Sequence, residues 1–326
     1  MQLQVMRLLR NLGEEQILMH KESQEILTHL QKVIHGKEQV LQSVWLVLLA
    51  EGHILLEDLP GVGKTTLAKA FSQVISLDEQ RVQLTPDTVS SDITGFMIYN
   101  QQKGEFVLKK GVVMTNILLA DELNRTSSRT QAALLEAMQE RQVTVDEFTY
   151  ELPRPFHVIA TQNPSGTVGT HSLPLAQLDR FMARLSMGYP SNEAQIAMLK
   201  NHQHGQSIAM EPLATKEQFL SWQQSVRNIH IADELLAYVT RLTEATRHHT
   251  ELQYGVSPRG ALALCQYVRA RAFLYNRTFA IPEDIIESFV PVCSHRVISI
   301  GQRDSKAILQ EILEQVPSPD EALLKK

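Results

Sequence analysis

Cysteine is nearly absent: only Cys265 and Cys293 occur in 326 residues, far apart and in no C-x-x-C pair. That excludes a disulfide framework and a cysteine-based zinc site, and it fits a reducing compartment. Long apolar runs are absent too. The longest, Val44 to Ala50, falls far short of the ~20 residues that cross a bilayer. Met1 to Met19 mixes Arg, Glu and Gln with leucines and lacks a small-residue cleavage site, so no signal peptide is read there and a cytoplasmic protein is expected. Neither charge sign dominates. The net charge of −5 argues against a bulk polyanion binder and leaves room only for a local basic patch. No low-complexity tract or solenoid repeat is found.

What is present is the composition of a soluble globular protein, with length for two domains. Val40, Leu41, Val44 and Leu48 recur at helical spacing, predicting a helix over roughly 38–50. His53–Glu57 reads as a buried strand, and Lys64–Ile75 returns to helical period. Further short apolar runs lie at Val82–Leu84, Ile117–Ala120, His157–Thr161 and Leu185–Tyr189. The alternation predicts an α/β fold with a parallel sheet between helical layers. Residues 95–99 with 105–108, and 143–145 with 148–151, read as two β-hairpin inserts. After Tyr189-Pro190 helix starts multiply: a Thr215/Gln218 capping box, Asp233, Ser257-Pro258 and Ile281-Pro282. The expected division is a helical extension over 1–24, a core over 25–189 and an all-helical second domain over 190–326.

The segment Asp58-Leu-Pro60-Gly61-Val62-Gly63-Lys64-Thr65-Thr66 lies between a predicted strand and a predicted helix. Gly61 and Gly63 let backbone N–H groups curl around phosphate, and the helix start adds its positive dipole end. Lys64 would reach the β and γ phosphates, and Thr65 would place its hydroxyl on Mg²⁺. Asp58 stands where the usual pattern has glycine, with Pro60-Gly61 making the turn instead.

Ile117-Leu-Leu-Ala-Asp121-Glu122 is an apolar strand ending in two acids, where an open α/β sheet places its ligands. Asp121 would hold Mg²⁺, and Glu122 would polarise the attacking water. At the tip of the next strand, Asn163 would hydrogen-bond the γ-phosphate or the lytic water, or simply form the turn before Pro164.

These residues together resemble AAA+ P-loop ATPases, and the wording resembles the MoxR group across about 25–300. The resemblance rests on Leu-Leu-Glu-Asp-Leu-Pro-Gly-Val-Gly-Lys-Thr, Ala-Asp-Glu-Leu-Asn124-Arg125, Ala-Thr-Gln-Asn-Pro, Leu-Asp179-Arg180-Phe181 and Val-Ser-Pro-Arg259-Gly. It implies an ATPase core followed by an all-α lid, with ATP and Mg²⁺ at the two Walker motifs. Asn163 becomes sensor 1. Arg180 becomes the arginine finger entering a neighbouring subunit, with Arg184 a nearby alternative. Arg259 becomes sensor 2, touching the nucleotide of its own subunit. Gly36, within Ile34-His-Gly36-Lys37, falls where adenine is cradled. The hairpins would line a central pore. The resemblance also implies a hexameric homo-oligomer, chaperone-like remodelling of partner complexes, and a von Willebrand factor A domain partner; the client is not named by it.

Other readings carry less. A nucleic-acid motor or loader is the alternative, but the charge opposes it and no DNA-reading module is seen. A small-molecule kinase or GTPase is opposed by the helical lid and by the lack of an Asn-Lys-x-Asp string. His248-His249, and His202 with His204, have no acidic or sulfur company and read as solvated rather than metal-binding. Arg269, Arg271 and Arg277 read as solvated or subunit-facing charge.

Overall fold

A strand covered on both faces must be apolar at nearly every position, and the runs Ile54–Leu56 and Ile117–Ala120 obey that rule. The computed structural model describes residues 19–58, 61–163, 172–203 and 210–319. Its strands in chain order are β1 (Ile54–Glu57), β2 (Glu79–Gln83), the hairpin β3 (Gly95–Asn100) and β4 (Glu105–Lys110), β5 (Ile117–Asp121), the hairpin β6 (Gln142–Val145) and β7 (Phe148–Glu151), β8 (His157–Gln162) and β9 (Ala183–Leu185). Five of them form one parallel sheet in the order β2-β5-β8-β1-β9.

The first helices are α1 (Lys21–Gln31), α2 (Glu38–Leu49), α3 (Lys64–Val74), α4 (Ser90–Thr94), α5 (Ser128–Glu140) and the single turn α6 (Leu175–Leu178). Period-two alternation divides the strand residues between two hydrophobic clusters. Ile54, Leu56, Ile117, Leu119 and Ile159 pack with α1, α2 and α3. Leu55, Leu118, Ala120, Val158 and Ala160 pack with Ile93, Leu134, Leu135 and Met138 of α4 and α5.

The helical second part holds α7 (Asn192–Gln203), α8 (Lys216–Arg227), α9 (Asp233–His248), α10 (Pro258–Leu274), α11 (Pro282–Cys293) and α12 (Ser305–Gln315). The Thr215/Gln218 capping box forms reciprocally, and Pro258 and Pro282 open their helices. The first cluster runs on without a break from the core into these helices. Trp45 of α2 is fully buried and meets Phe71 of α3 and Phe219 and Trp222 of α8, with ring centroids 5.6–6.5 Å away.

Four expectations need correction. The run Leu185–Tyr189 is not a strand as a whole: β9 spans Ala183–Leu185, and beyond it the N–H groups of Met187 and Gly188 turn to the Asp58 carboxylate instead of a sheet neighbour. The second part is not all-helical, since β10 (Leu252–Tyr254) pairs antiparallel with β11 (Ile298–Ser299) between interhelix loops. The 24/25 division falls inside α1; residues 1–18 of that extension lie outside the described residues. Arg271 and Arg277 are not freely solvated charges: Arg277 makes a two-pronged pair with buried Asp284 at 2.7 Å, which Arg271 also approaches.

His53 and His157 are wholly buried between core elements. His53 Nδ1 accepts the Val158 N–H, so its Nε2–H donates to the Met138 carbonyl. His157 donates to the Gly52 carbonyl and accepts from the Gln223 amide of α8. Burial holds His53 down to about 3 and His157 to about 4, from an ordinary 6.5. The unfolded chain therefore takes up protons near pH 6.5 that the folded chain refuses. Stability is fully present above that pH and is lost below it, by ~1.4 kcal/mol per pH unit per histidine until the folded values are reached. Urea unfolding at pH 7 and pH 5 is expected to differ by about 4 kcal/mol from this pair alone. Equal midpoints at the two pH values would remove the buried neutral assignment.

Candidate nucleotide site

The carboxyl ends of β1, β5 and β8 open into one cavity of about 310 Å³, and the segment after β1 forms its floor. Gly61 and Gly63 have φ of +86° and +95°, the left-handed region that glycine enters freely. An added Cβ on Gly61 would meet nothing within 4 Å, so backbone conformation, not crowding, requires glycine there. Lys64 is the first residue of α3; it is buried, and its Nζ donates to the Asp58 carbonyl at 2.9 Å. Burial pushes its ammonium down, against the pull of Asp58, Asp121 and Glu122. Thr65 and Thr66 follow on the exposed first turn and line the cavity. Pro60 lies outside the described residues.

Asp58 has its own task. Its Oδ1 accepts from Ser186 Oγ at 2.8 Å and Gly188 N–H at 3.0 Å, and its Oδ2 from Met187 N–H at 2.6 Å. The residue opening the phosphate loop thus holds the segment leading out of β9. A second cavity of about 140 Å³ adjoins the first. Val62, Gly61, Gly63 and Thr66 line it together with Val33, Ile34, Tyr189 and Pro190. Gly36 stands beside it in the turn before α2, where an added Cβ would lie 3.5 Å from Ala194.

At the far wall, Asp121 accepts from Arg81 Nε at 2.7 Å and from Thr161 Oγ1 at 3.3 Å. Glu122 has a left-handed φ of 59°, a strained setting for a non-glycine residue, and its N–H is taken by Thr161 Oγ1 at 2.9 Å. Its carboxylate accepts from Asn163 Nδ2 at 3.2 Å and Arg125 Nη1 at 2.9 Å. Partial burial opposes its ionisation, but those hydrogen bonds more than offset that and hold the carboxyl below its usual range. Asn163 is fixed in turn by two bonds exchanged with Asn124.

The residues from Gly61 to Thr66 are therefore brought together with Asp121, Glu122 and Asn163. Arg180 and Arg259 are not. Met182 N–H bonds the His53 carbonyl, and His53 Nε2 bonds Met138, so residues 138–139 and 182 mark the amino ends of the strands. Arg259 reaches Gln139 at 3.3 Å, and Ser257 donates to Asp179 at 2.8 Å. Both arginines thus belong to the amino edge of the sheet. Strands of four to six residues separate that edge from the phosphate loop by ~13–20 Å. In this arrangement Arg259 lies away from the phosphate loop of its own subunit, because the lid is anchored at the opposite edge. Arg184 pairs with Glu57 at 3.2 Å, whereas the Arg180 side chain has no hydrogen bond or ion pair among the described residues.

Sequence reasoning missed Arg81, Gln83, Thr161 and Arg125. The register places Gln83 directly opposite Asp121, and Arg81 two residues before it. A mostly polar edge strand such as β2 gives no local sign of which side chains face a ligand. The donor set fits a nucleoside triphosphate with magnesium: an enclosed ammonium, exposed hydroxyls and two acids, with Mg²⁺ needing only one or two protein oxygens.

Two family profiles match the chain. The profile of the ATPase family associated with various cellular activities (AAA) matches residues 53–183, and that of the AAA lid domain matches residues 244–316. The Bacillus subtilis protein YeaC is 43% identical over 297 residues, covering 89% of this chain and 93% of its own. The chaperone MoxR1 of Mycobacterium tuberculosis is 37% identical over 278 residues, covering 82% of this chain and 74% of its own. A candidate ATPase from Cytophaga hutchinsonii, solved as a crystal structure, superposes with a TM-score of 0.85 at 34% identity, covering 92% of this chain and 96% of that one.

Proposed function

Since the chain belongs to the MoxR family of AAA+ ATPases, we propose that it hydrolyses the γ-phosphate of ATP at sites completed between subunits of a closed, six-membered ring, and uses the cycle to remodel partner proteins. The observation behind this reading is the split of charged groups between two edges of one sheet. Lys64, Asp121, Glu122 and Asn163 sit at the carboxyl edge; Arg180 and Arg259 sit at the amino edge, with Arg180 unpaired among the described residues.

Lys64 and the loop amides bind the phosphates, with Val62, Gly36 and their neighbours beside the base. Thr65 and Asp121 would hold Mg²⁺, which when bound supplies charge neutralisation at the phosphates. Glu122, kept ionised, takes a proton from water as the water attacks, and Asn163 holds the Glu122 carboxylate in place. Arg180 and Arg259 enter the site of a neighbour and offset charge developing on the transferred group. Both arginines thus act in trans, which replaces the reading of Arg259 as a group of its own subunit.

The remodelling part rests on exposed side chains. Tyr99 and Phe106, 5.3 Å apart on the first hairpin, and Phe148 on the second are all more than half exposed. Such apolar groups on projecting hairpins suit transient grip on a client chain. A von Willebrand factor A domain protein is the proposed partner. Among the described residues no helix is long and apolar enough to cross a membrane.

A site shared between subunits makes hydrolysis depend on assembly. Specific activity is expected to rise with protein concentration in step with ring mass by light scattering, while ATP binding does not. Full turnover by a monodisperse monomer would sink the ring reading.

A further inference from the structure

Arg296, just after α11, is 2% exposed, and all its side-chain bonds but one go to the segment carrying Arg180. Its Nε donates to Val292 of its own helix. Nη1 bonds both the carbonyl of Asp179, at 2.8 Å, and its carboxylate, while Nη2 bonds the Phe181 carbonyl at 2.6 Å. The next residue back, His295, adds a bond from Nε2 to the same Phe181 carbonyl at 2.9 Å. Burial holds His295 neutral, so that nitrogen donates. The carbonyls of both neighbours of Arg180 are therefore gripped, while the Arg180 side chain is left without a partner among the described residues.

The same grip extends to the other arginine. The second carboxylate oxygen of Asp179 accepts from Ser257 Oγ, which caps the helix carrying Arg259 two residues on. Gly260 of that helix lies against the Arg296 chain: an added Cβ would be 3.0 Å from its Cδ. A buried charge with this many fixed partners is costly to place for packing alone, and a planar fork suits holding two carbonyls and a carboxylate at once.

We infer that Arg296 is a positioning residue that sets Arg180 and Arg259 at a fixed separation for one neighbouring nucleotide. The inference rests on the proposal that both arginines act in trans. Arg296 touches no substrate; it acts through the 179–181 segment and the cap of α10.

The test uses full-length protein and co-expressed mixtures. Arg296→Lys keeps the charge but not the fork, and Asp179→Asn is a milder break of the same clamp. Each is expected to assemble and bind ATP with little change in KM, and to lose about 10²-fold in kcat, the scale of a misplaced group. Neither defect touches the variant's own phosphate loop. Mixed rings with Lys64→Ala protomers, which bind no ATP but carry an intact clamp, are therefore expected to regain turnover. Arg180→Ala mixed with Lys64→Ala provides the reference and should regain it likewise. If the reference recovers but the Arg296 and Asp179 variants do not, the clamp matters only within its own subunit; the inference falls and the trans reading stands. If folded clamp variants keep wild-type kcat, the inference falls as well. If the reference itself fails to recover, both readings fall together.

Discussion

Turnover of the Arg180→Ala protein is expected to fall by ~10³–10⁵-fold, the range seen when a trans-acting arginine is removed from a phosphoryl-transfer site. The size follows from where the group acts. Negative charge grows on the transferred phosphoryl, and a preorganised cation brought against it between two subunits is worth far more than one at an open surface. Removal should cost little stability, since the Arg180 side chain holds no partner among the described residues. Arg184→Ala is the contrast: it breaks a pair with Glu57 inside the chain. Phosphate release at saturating ATP, with ATP affinity and ring mass measured alongside, checks the result. Wild-type turnover of an assembled Arg180→Ala ring would return the role to another side chain.

Glu122→Gln is expected to lower kcat by ~10²–10⁴-fold, the contribution of a positioned general base. The amide is the same size and can still accept from Asn163 or Arg125, so the wall of the cavity should keep its shape. ATP binding and assembly should survive while water goes unactivated. The variant would then hold its ring in the ATP-bound form, and clients retained on it could be identified by mass spectrometry. Hydrolysis at the normal rate would remove Glu122 from its role; normal trapping with no retained protein would count against remodelling.

The sequence displayed the phosphate loop, the acid pair and both hairpins because each is local: a turn between a strand and a helix, an apolar run with an acidic end, two short alternating runs. Where long-range placement decides, local pattern failed. Arg259 could not be assigned to an edge of the sheet, because the packing of α8 and α10 on α2 decides where the lid sits. Arg296 resembled any charge at a helix end, and its meaning comes from residues 117 positions away. Arg81 and Gln83 needed the register of β2 against β5 before they could be seen beside Asp121. The misjudged extent of β9 has the same origin: apolar Leu185–Tyr189 suits a strand until Asp58 competes for its amides.

That competition has mechanical weight. With glycine at position 58, as general phosphate loops have, Ser186, Met187 and Gly188 would lose their common acceptor. Here the carbonyl of one residue meets Lys64 while its carboxylate suspends the doorway to the second domain. A phosphate held by the loop and the approach to the lid would thereby share a single rivet, and a shift of the loop would be expected to tug on the doorway without an intervening relay.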